Sequence, residues 1–374
     1  MRILIDARFY GLENAGLGRY TTNLVEELKK QGKKNEYVVL LRSKYFKNLK
    51  FPENWKKVEA EVEHYSFEEQ LKLPGIIKAQ KPDLVHFPHF NVPVFYFGKY
   101  VVTIHDMLMH KFRGTDTTTL GPLIYLVKRF LGYDLVFASA VKRAQKVIVP
   151  TKAIQNEVSK FYNKEKRDAV VTYEGVGNNF TKGTSKDKVL KKYKIIGDYF
   201  VYTGNAYPHK NLDRLIDALV QLNEEGKSAK LFIASSRDAF VERLEKLIKE
   251  KGAQDYVKLL GFVPDEELAT LYKNSVAFVY PSLSEGFGLQ GLEAMTAGTL
   301  VLVSDIPVFK EVYKDSSVYF DPESVESMVE TKKKALTLTA KSRKEIIKSS
   351  TKFARKYSWS DMAKETLKVY EQTV

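Results

Sequence analysis

Short runs of valine, isoleucine, leucine and aromatic residues recur along this chain, several of them followed by a glycine, proline or serine break and then leucines at helical spacing. Runs without polar–apolar alternation suit strands buried on both faces, as in a parallel sheet covered by helices. Residues 3–7, 37–41, 83–87, 100–104, 146–150 and 169–173 make one such series. Residues 177–198, with glycine and several lysines, read as a linker. The pattern restarts at residue 199, with further runs at 230–234, 257–260, 276–280 and 300–303. Strands alternating with helices predict an α/β chain of two doubly wound parallel sheets. A length of 374 residues agrees, being more than one core usually holds.

Composition narrows the class. At 44% hydrophobic and 28% charged, this is an ordinary globular chain. The absence of cysteine excludes disulfides, thiol nucleophiles and cysteine metal sites. Met1-Arg2-Ile3-Leu4-Ile5 runs directly into a strand, with no signal peptide ahead of it, and no apolar run reaches the roughly 18–20 residues of a spanning helix. A cytoplasmic enzyme is the expectation. The net charge of +14 favours acidic partners, namely nucleotides, nucleic acid or an anionic membrane. A nucleic-acid binder would interleave aromatics with a basic stripe, whereas lysine and arginine here are scattered among acids.

The chemistry concentrates in residues 281–298, PSLSEGFGLQGLEAMTAG. A buried strand precedes this stretch, Gly286 and Gly288 break it, and Leu289, Leu292 and Met295 have helical spacing. A strand, glycine loop and helix in this order aim backbone N–H groups and a helix dipole at one spot, which suits a phosphate. Glu285 lies in the loop and Glu293 is expected about two turns into the helix, with seven residues between them. This wording, with Phe287 between the glycines and Ala297-Gly298 at the end, resembles the E-x7-E signature of retaining glycosyltransferases of family 4. The resemblance implies that Glu285 meets donor-sugar hydroxyls and that Glu293 holds the nucleotide ribose. Backbone at Gly286, Phe287, Gly288 and Leu289 would meet the diphosphate and sugar.

Three further phrases carry the same resemblance. Ala15-Gly16-Leu17-Gly18-Arg19-Tyr20 looks like the family's first glycine loop, with Gly16 and Gly18 lining the donor side. It is a poor dinucleotide fingerprint, because Thr21 replaces the third glycine and the strand at 37–41 ends in Arg42-Ser43 rather than an acid. The strand at 100–104 ends in His105-Asp106, at the usual crevice of an α/β sheet, and the family carries a catalytic His-Asp pair there. His86 and His89 could form a metal pair, but no third ligand has suitable spacing, so loop packing is the better reading. In residues 203–211 the family has an arginine and, five residues later, a lysine. Asn205 stands in the arginine's place and Lys210 in the lysine's, with His209 beside it. A fixed ammonium at Lys210 would stabilise a leaving diphosphate. His209 when protonated, or Arg19, would complete the cationic set.

The resemblance implies the GT-B fold, two Rossmann-like domains facing a cleft. Residues 1–176 would form the acceptor-side domain, completed by a last helix at 357–374. Residues 177–198 would be the linker, and 199–356 the donor-binding domain. The implied reaction takes a sugar from a nucleoside-diphosphate sugar, of GDP-mannose or UDP-glucose type, to an acceptor hydroxyl on a glycan or lipid-linked precursor. Retention would follow from front-face attack, with the leaving phosphate oxygen helping to take the acceptor proton. The chain contains no Asp-x-Asp pair, so no metal or other cofactor is expected. A GT-B isomerase or hydrolase of nucleotide sugars is the alternative, and would need an extra acid/base set. Residues 121–137, apolar but holding Lys128, Arg129 and Asp134, read as a packed helix or as a peripheral contact with anionic membrane.

Overall fold

The computed structural model describes residues 1–114, 128–236 and 239–374. These divide into two compact units, one of residues 1–107, 128–175 and 358–374, the other of residues 108–114 and 176–357.

The described residues of the first unit form a seven-stranded sheet of order β3-β2-β1-β4-β5-β6-β7, parallel throughout. Its strands are β1 Arg2–Asp6, β2 Glu36–Leu41, β3 Trp55–Glu59, β4 Leu84–Phe87, β5 Tyr100–Thr103, β6 Lys146–Val149 and β7 Ala169–Val171. Ile3, Leu4, Ile5, Leu84, Val85, Val101, Val102, Val147 and Ile148 have no accessible surface, as expected of strands sandwiched between helix layers. The helix Trp359–Glu371 belongs to this unit. The Gln31 side chain donates to the carbonyl and hydroxyl of Ser360, both at 3.1 Å. Tyr370 hydroxyl lies 2.6 Å from His86 Nδ1.

The described residues of the second unit form a six-stranded parallel sheet of order β10-β9-β8-β11-β12-β13. Here the strands are β8 Tyr199–Thr203, β9 Lys230–Ala234, β10 Val257–Leu259, β11 Ala277–Tyr280, β12 Val301–Ser304 and β13 Val318–Phe320. Chain order runs outward in one direction from β8 and in the other from β11, so the switch point lies between these two neighbours. Residues 177–198, read as a linker, contain the helix Lys186–Lys192 and join this unit. Lys192 Nζ reaches Glu267 at 2.7 Å, and the Thr184 amide donates to Thr270 Oγ1 at 2.9 Å.

One expectation needs correction, and another falls partly outside the described residues. Residues 15–20 are not a loop, because the helix begins at Ala15 and runs to Gln31, enclosing Gly16 and Gly18. Gly18 is required by packing, since a Cβ there would lie 1.8 Å from the Gly11 carbonyl oxygen. Within residues 121–137, the part 121–127 lies outside the described residues. Residues 128–134 form a π-helix, and Arg129 is buried with its Nε 3.8 Å from Asp134.

Candidate active site

At the switch point of the second unit, loops leave the carboxyl ends of β8 and β11 side by side. After β8, Pro208–Lys210 forms one 3₁₀ turn that ends at Asn211 in the left-handed region, φ 58°. Buried Asn211 ties this turn to the other loop by donating to the Pro281 carbonyl at 3.0 Å and the Pro322 carbonyl at 2.7 Å. The Leu283 amide donates back to the His209 carbonyl at 2.8 Å. Two backbone-anchored loops thus bring Lys210 Nζ to 2.6 Å from Glu285 Oε1. Ser282 Oγ donates to the same oxygen at 2.7 Å.

The helix Leu289–Ala297 starts beside this pair. Gly288 precedes it at φ 96°, a conformation that excludes most side chains. A Cβ at Gly288 would lie 2.4 Å from the Tyr313 hydroxyl, which donates to the Gly288 carbonyl. The glycine therefore fixes the helix entry by packing as well as by its backbone conformation. Gly286, Phe287 and Leu289 are buried in the same turn. Glu293 is the fifth helical residue, little more than one turn in rather than two, and is buried.

The electrostatics divide these groups sharply. Burial alone would raise the Glu285 carboxyl, but Lys210, His209 and the hydrogen bonds from Lys210 and Ser282 hold it below the ordinary value. It is a carboxylate at neutral pH, and its contribution to stability is lost only as pH falls through that lowered value. His209 moves the other way. Burial and the neighbouring ammonium of Lys210 push it down to about 4 against the pull of Glu285, so it is uncharged at pH 7. Its buried Nε2 has no hydrogen-bond partner among the described residues. The expected cationic role of a protonated His209 is not available at neutral pH. Asn205 stays near the end of β8, its carbonyl accepting from the Tyr202 hydroxyl at 2.8 Å.

In the first unit, His105 follows β5 and meets a residue the sequence had not singled out. Its Nδ1 lies 3.2 Å from Glu174 Oε1 and its Nε2 lies 2.9 Å from the Pro88 carbonyl. Both partners can only accept, so the ring satisfies both contacts only as an imidazolium. Burial lowers its affinity for a proton, yet the Glu174 hydrogen bond and charge, Pro88 and Asp106 together raise it. Asp106 is adjacent in the chain and half-buried. The Tyr20 ring stands edge-on to His105 at 4.6 Å, and its hydroxyl is hydrogen-bonded to Thr103 at 3.2 Å. His86 is held by Thr103 and Tyr370, and burial with nearby His105 lowers it to about 3, so it is a neutral packing residue. Among the described residues there is no group of three or more His, Cys, Asp or Glu placed to hold a metal ion.

A raised histidine contributes stability that is complete below its ordinary value of about 6.5 and lost as pH rises through the folded value. The His105 ring proton, followed by NMR, is expected to titrate above that ordinary value. In Glu174→Gln its midpoint should fall by about one unit or more, because burial then acts without the carboxylate. A wild-type midpoint at or below the ordinary value would refute the imidazolium assignment.

Two parallel doubly wound sheets, with a Lys–Glu pair and a helix start at the switch point of one, define a GT-B enzyme. The chain belongs to the family 4 glycosyltransferases: residues 15–178 match the family described as Glycosyltransferase Family 4, and residues 186–353 match Glycosyl transferases group 1. It is 28% identical over 263 residues to the O-antigen chain mannosyltransferase RfbU of Salmonella typhimurium, covering 70% of this chain and 67% of that one. It is 24% identical over 376 residues to the O-antigen chain mannosyltransferase B of Escherichia coli, covering 95% and 96%. Among solved structures, sucrose-phosphate synthase from Thermosynechococcus elongatus superposes with a TM-score of 0.77 at 17% identity, over 99% of this chain and 98% of that one. WaaG, a glycosyltransferase involved in lipopolysaccharide biosynthesis, superposes with a TM-score of 0.75 at 17% identity, over 99% of both chains. At such identities these two likenesses show the fold.

Proposed function

We propose that this glycosyltransferase moves a mannosyl group, with retention, from GDP-mannose to a hydroxyl of a polysaccharide precursor, at the cytoplasmic side of a membrane and without a metal. The observation that carries the donor site is the Lys210–Glu285 pair, 2.6 Å apart, beside a helix start at the switch point of the second sheet. Lys210 neutralises the leaving diphosphate, helped by the amides of the helix start. Glu285, ionised, accepts hydrogen bonds from donor-sugar hydroxyls, and Glu293 accepts from the ribose. A transferred sugar attacked on its front face keeps its configuration, and the departing phosphate oxygen takes the acceptor proton. His105, whose two N–H groups are held by Glu174 and Pro88, acts on the sugar or acceptor through its positive charge, with Asp106 beside it. The names of the two O-antigen relatives support mannose and a polysaccharide acceptor.

A panel of nucleotide sugars, scored by nucleotide release in the presence of a lipid-linked glycan, tests the reading. GDP-mannose should give the highest rate, and EDTA should leave it unchanged. Release only from another donor would replace the mannose assignment, and activity lost to EDTA and restored by Mn²⁺ would end the metal-free one. Glu293→Ala should weaken binding of the nucleotide product by about 1–3 kcal/mol, the cost of leaving buried polar partners unpaired. Titration calorimetry with GDP measures it, and unchanged affinity would remove Glu293 from the ribose.

A further inference from the structure

The second unit carries a cation near the donor loop that the family phrases do not include. Lys111 ends a single helical turn, Leu108–Lys111, and its Nζ lies 3.1 Å from Ser284 Oγ, the residue before Glu285. The next residue, Phe112, has its ring 5.7 Å from that of His209. Residues 108–112 therefore touch both loops of the switch point, one through an ammonium and the other through a ring.

Charge at this place makes the contact consequential. A nucleoside-diphosphate sugar carries a negative charge on each phosphate, and the released diphosphate carries more. Lys210 is already matched by Glu285, and Glu293 adds a second carboxyl group a turn into the helix. His209 is uncharged at neutral pH, and Asn205 has no charge to give. One lysine and a helix dipole, worth roughly half a charge, do not offset a diphosphate placed beside these acids. Lys111 is exposed while Ser284 is buried, so its four-carbon stem can carry the ammonium from the hydroxyl toward a phosphate without backbone movement.

We propose that Lys111 is the second phosphate-binding cation of the donor site, supplying the charge that Asn205 lacks and favouring nucleoside diphosphates over monophosphates. The inference rests on the donor-site reading above. The test titrates wild type, Lys111→Ala, Lys111→Arg and Lys210→Ala with GDP and GMP, and with UDP and UMP, by calorimetry. Lys111→Ala should lower the preference for diphosphate over monophosphate by about ten-fold or more, the range for a hydrogen bond to a charged group. Lys111→Arg should restore most of it. If Lys111→Ala keeps the wild-type preference while Lys210→Ala loses it, Lys111 has no such role and the donor-site reading stands. If wild type binds none of the four nucleotides, the donor-site reading fails and this inference with it.

Discussion

Lys210→Ala is expected to lower kcat by about 10²–10³-fold, the range for removing one preorganised donor aimed at a developing anion. The structure gives the reason for a large effect. Lys210 is held by a short turn whose neighbour Asn211 is anchored to two carbonyls, so the ammonium is positioned before any ligand arrives. Removing it also disturbs Glu285. Burial raises that carboxyl, and Lys210 is the foremost of the groups that bring it back down. Without Lys210 the carboxylate must be protonated at a higher pH, so the acidic limb of the pH–rate profile should move upward. Lys210→Arg keeps the charge but not the compact ammonium geometry, and should recover only part of the rate. Glu285→Gln keeps the shape and loses the charge, and should lower kcat while the nucleotide product still binds. Steady-state rates across pH with the preferred donor decide the matter. A kcat for Lys210→Ala within a few-fold of wild type would remove Lys210 from the chemistry.

Legibility in the sequence followed burial. Strands β1, β2, β4, β5, β6, β8, β9 and β11 are apolar on both faces, and their residues announce it. Strand β3, WKKVE, lies at the edge of its sheet with only Trp55 buried, so no apolar run marks it. The helix Phe67–Ala79 is obscured by Pro74 in its interior and by exposed Phe67 and Leu71 on its outer side. Gly16 and Gly18 read as a loop because glycine usually breaks a helix. The local penalty is outweighed here by the approach of the Gly11 carbonyl to Gly18.

The site divides in the same way. Lys210, Glu285 and Glu293 stand in dense, patterned stretches, and the structure brings the first two into contact. Glu174 is 69 residues from His105 in the chain and acquires meaning only when β5 and β7 lie in one sheet. Lys111 is 173 residues from Ser284, in a segment without periodicity. Long-range pairs between isolated polar residues leave no local pattern to read. For Glu174 a usable signal was its place just past a strand end in an α/β sheet, where functional groups gather.

The same limit hid a buried charge cluster of the first unit, and its removal should have a large effect on stability. Arg8, just beyond β1, donates to both carboxylate oxygens of Asp6 at 2.8 and 2.7 Å, to Glu69 Oε1 at 2.7 Å and to the Val62 carbonyl at 3.1 Å. Arg8 and Glu69 are 1% and 0% exposed, so water does not screen the group. Glu69 is further held by the Tyr65 amide at 2.8 Å and by Asn91. Arg8→Met keeps much of the volume but leaves Asp6 and Glu69 facing each other without the guanidinium between them. Breaking a buried ion group by removing one partner costs about 3–5 kcal/mol, and that is the expected loss. Its pH dependence has a definite sign. Burial alone would raise the Asp6 carboxyl, while Arg8, and less strongly His64, lower it below its ordinary value. In wild type the Asp6 contribution is present above that value and lost as pH falls through the lowered one. In Arg8→Met burial acts without the guanidinium, so protonating Asp6 relieves the mutant, and its deficit should shrink as pH falls toward about 4. Trp55 and Trp359 are the chain's two tryptophans, and both lie in the first unit, so tryptophan fluorescence in urea reports that unit's unfolding. A midpoint shift that stays constant between pH 7 and the acid limb would show that the cost is lost packing rather than uncompensated charge.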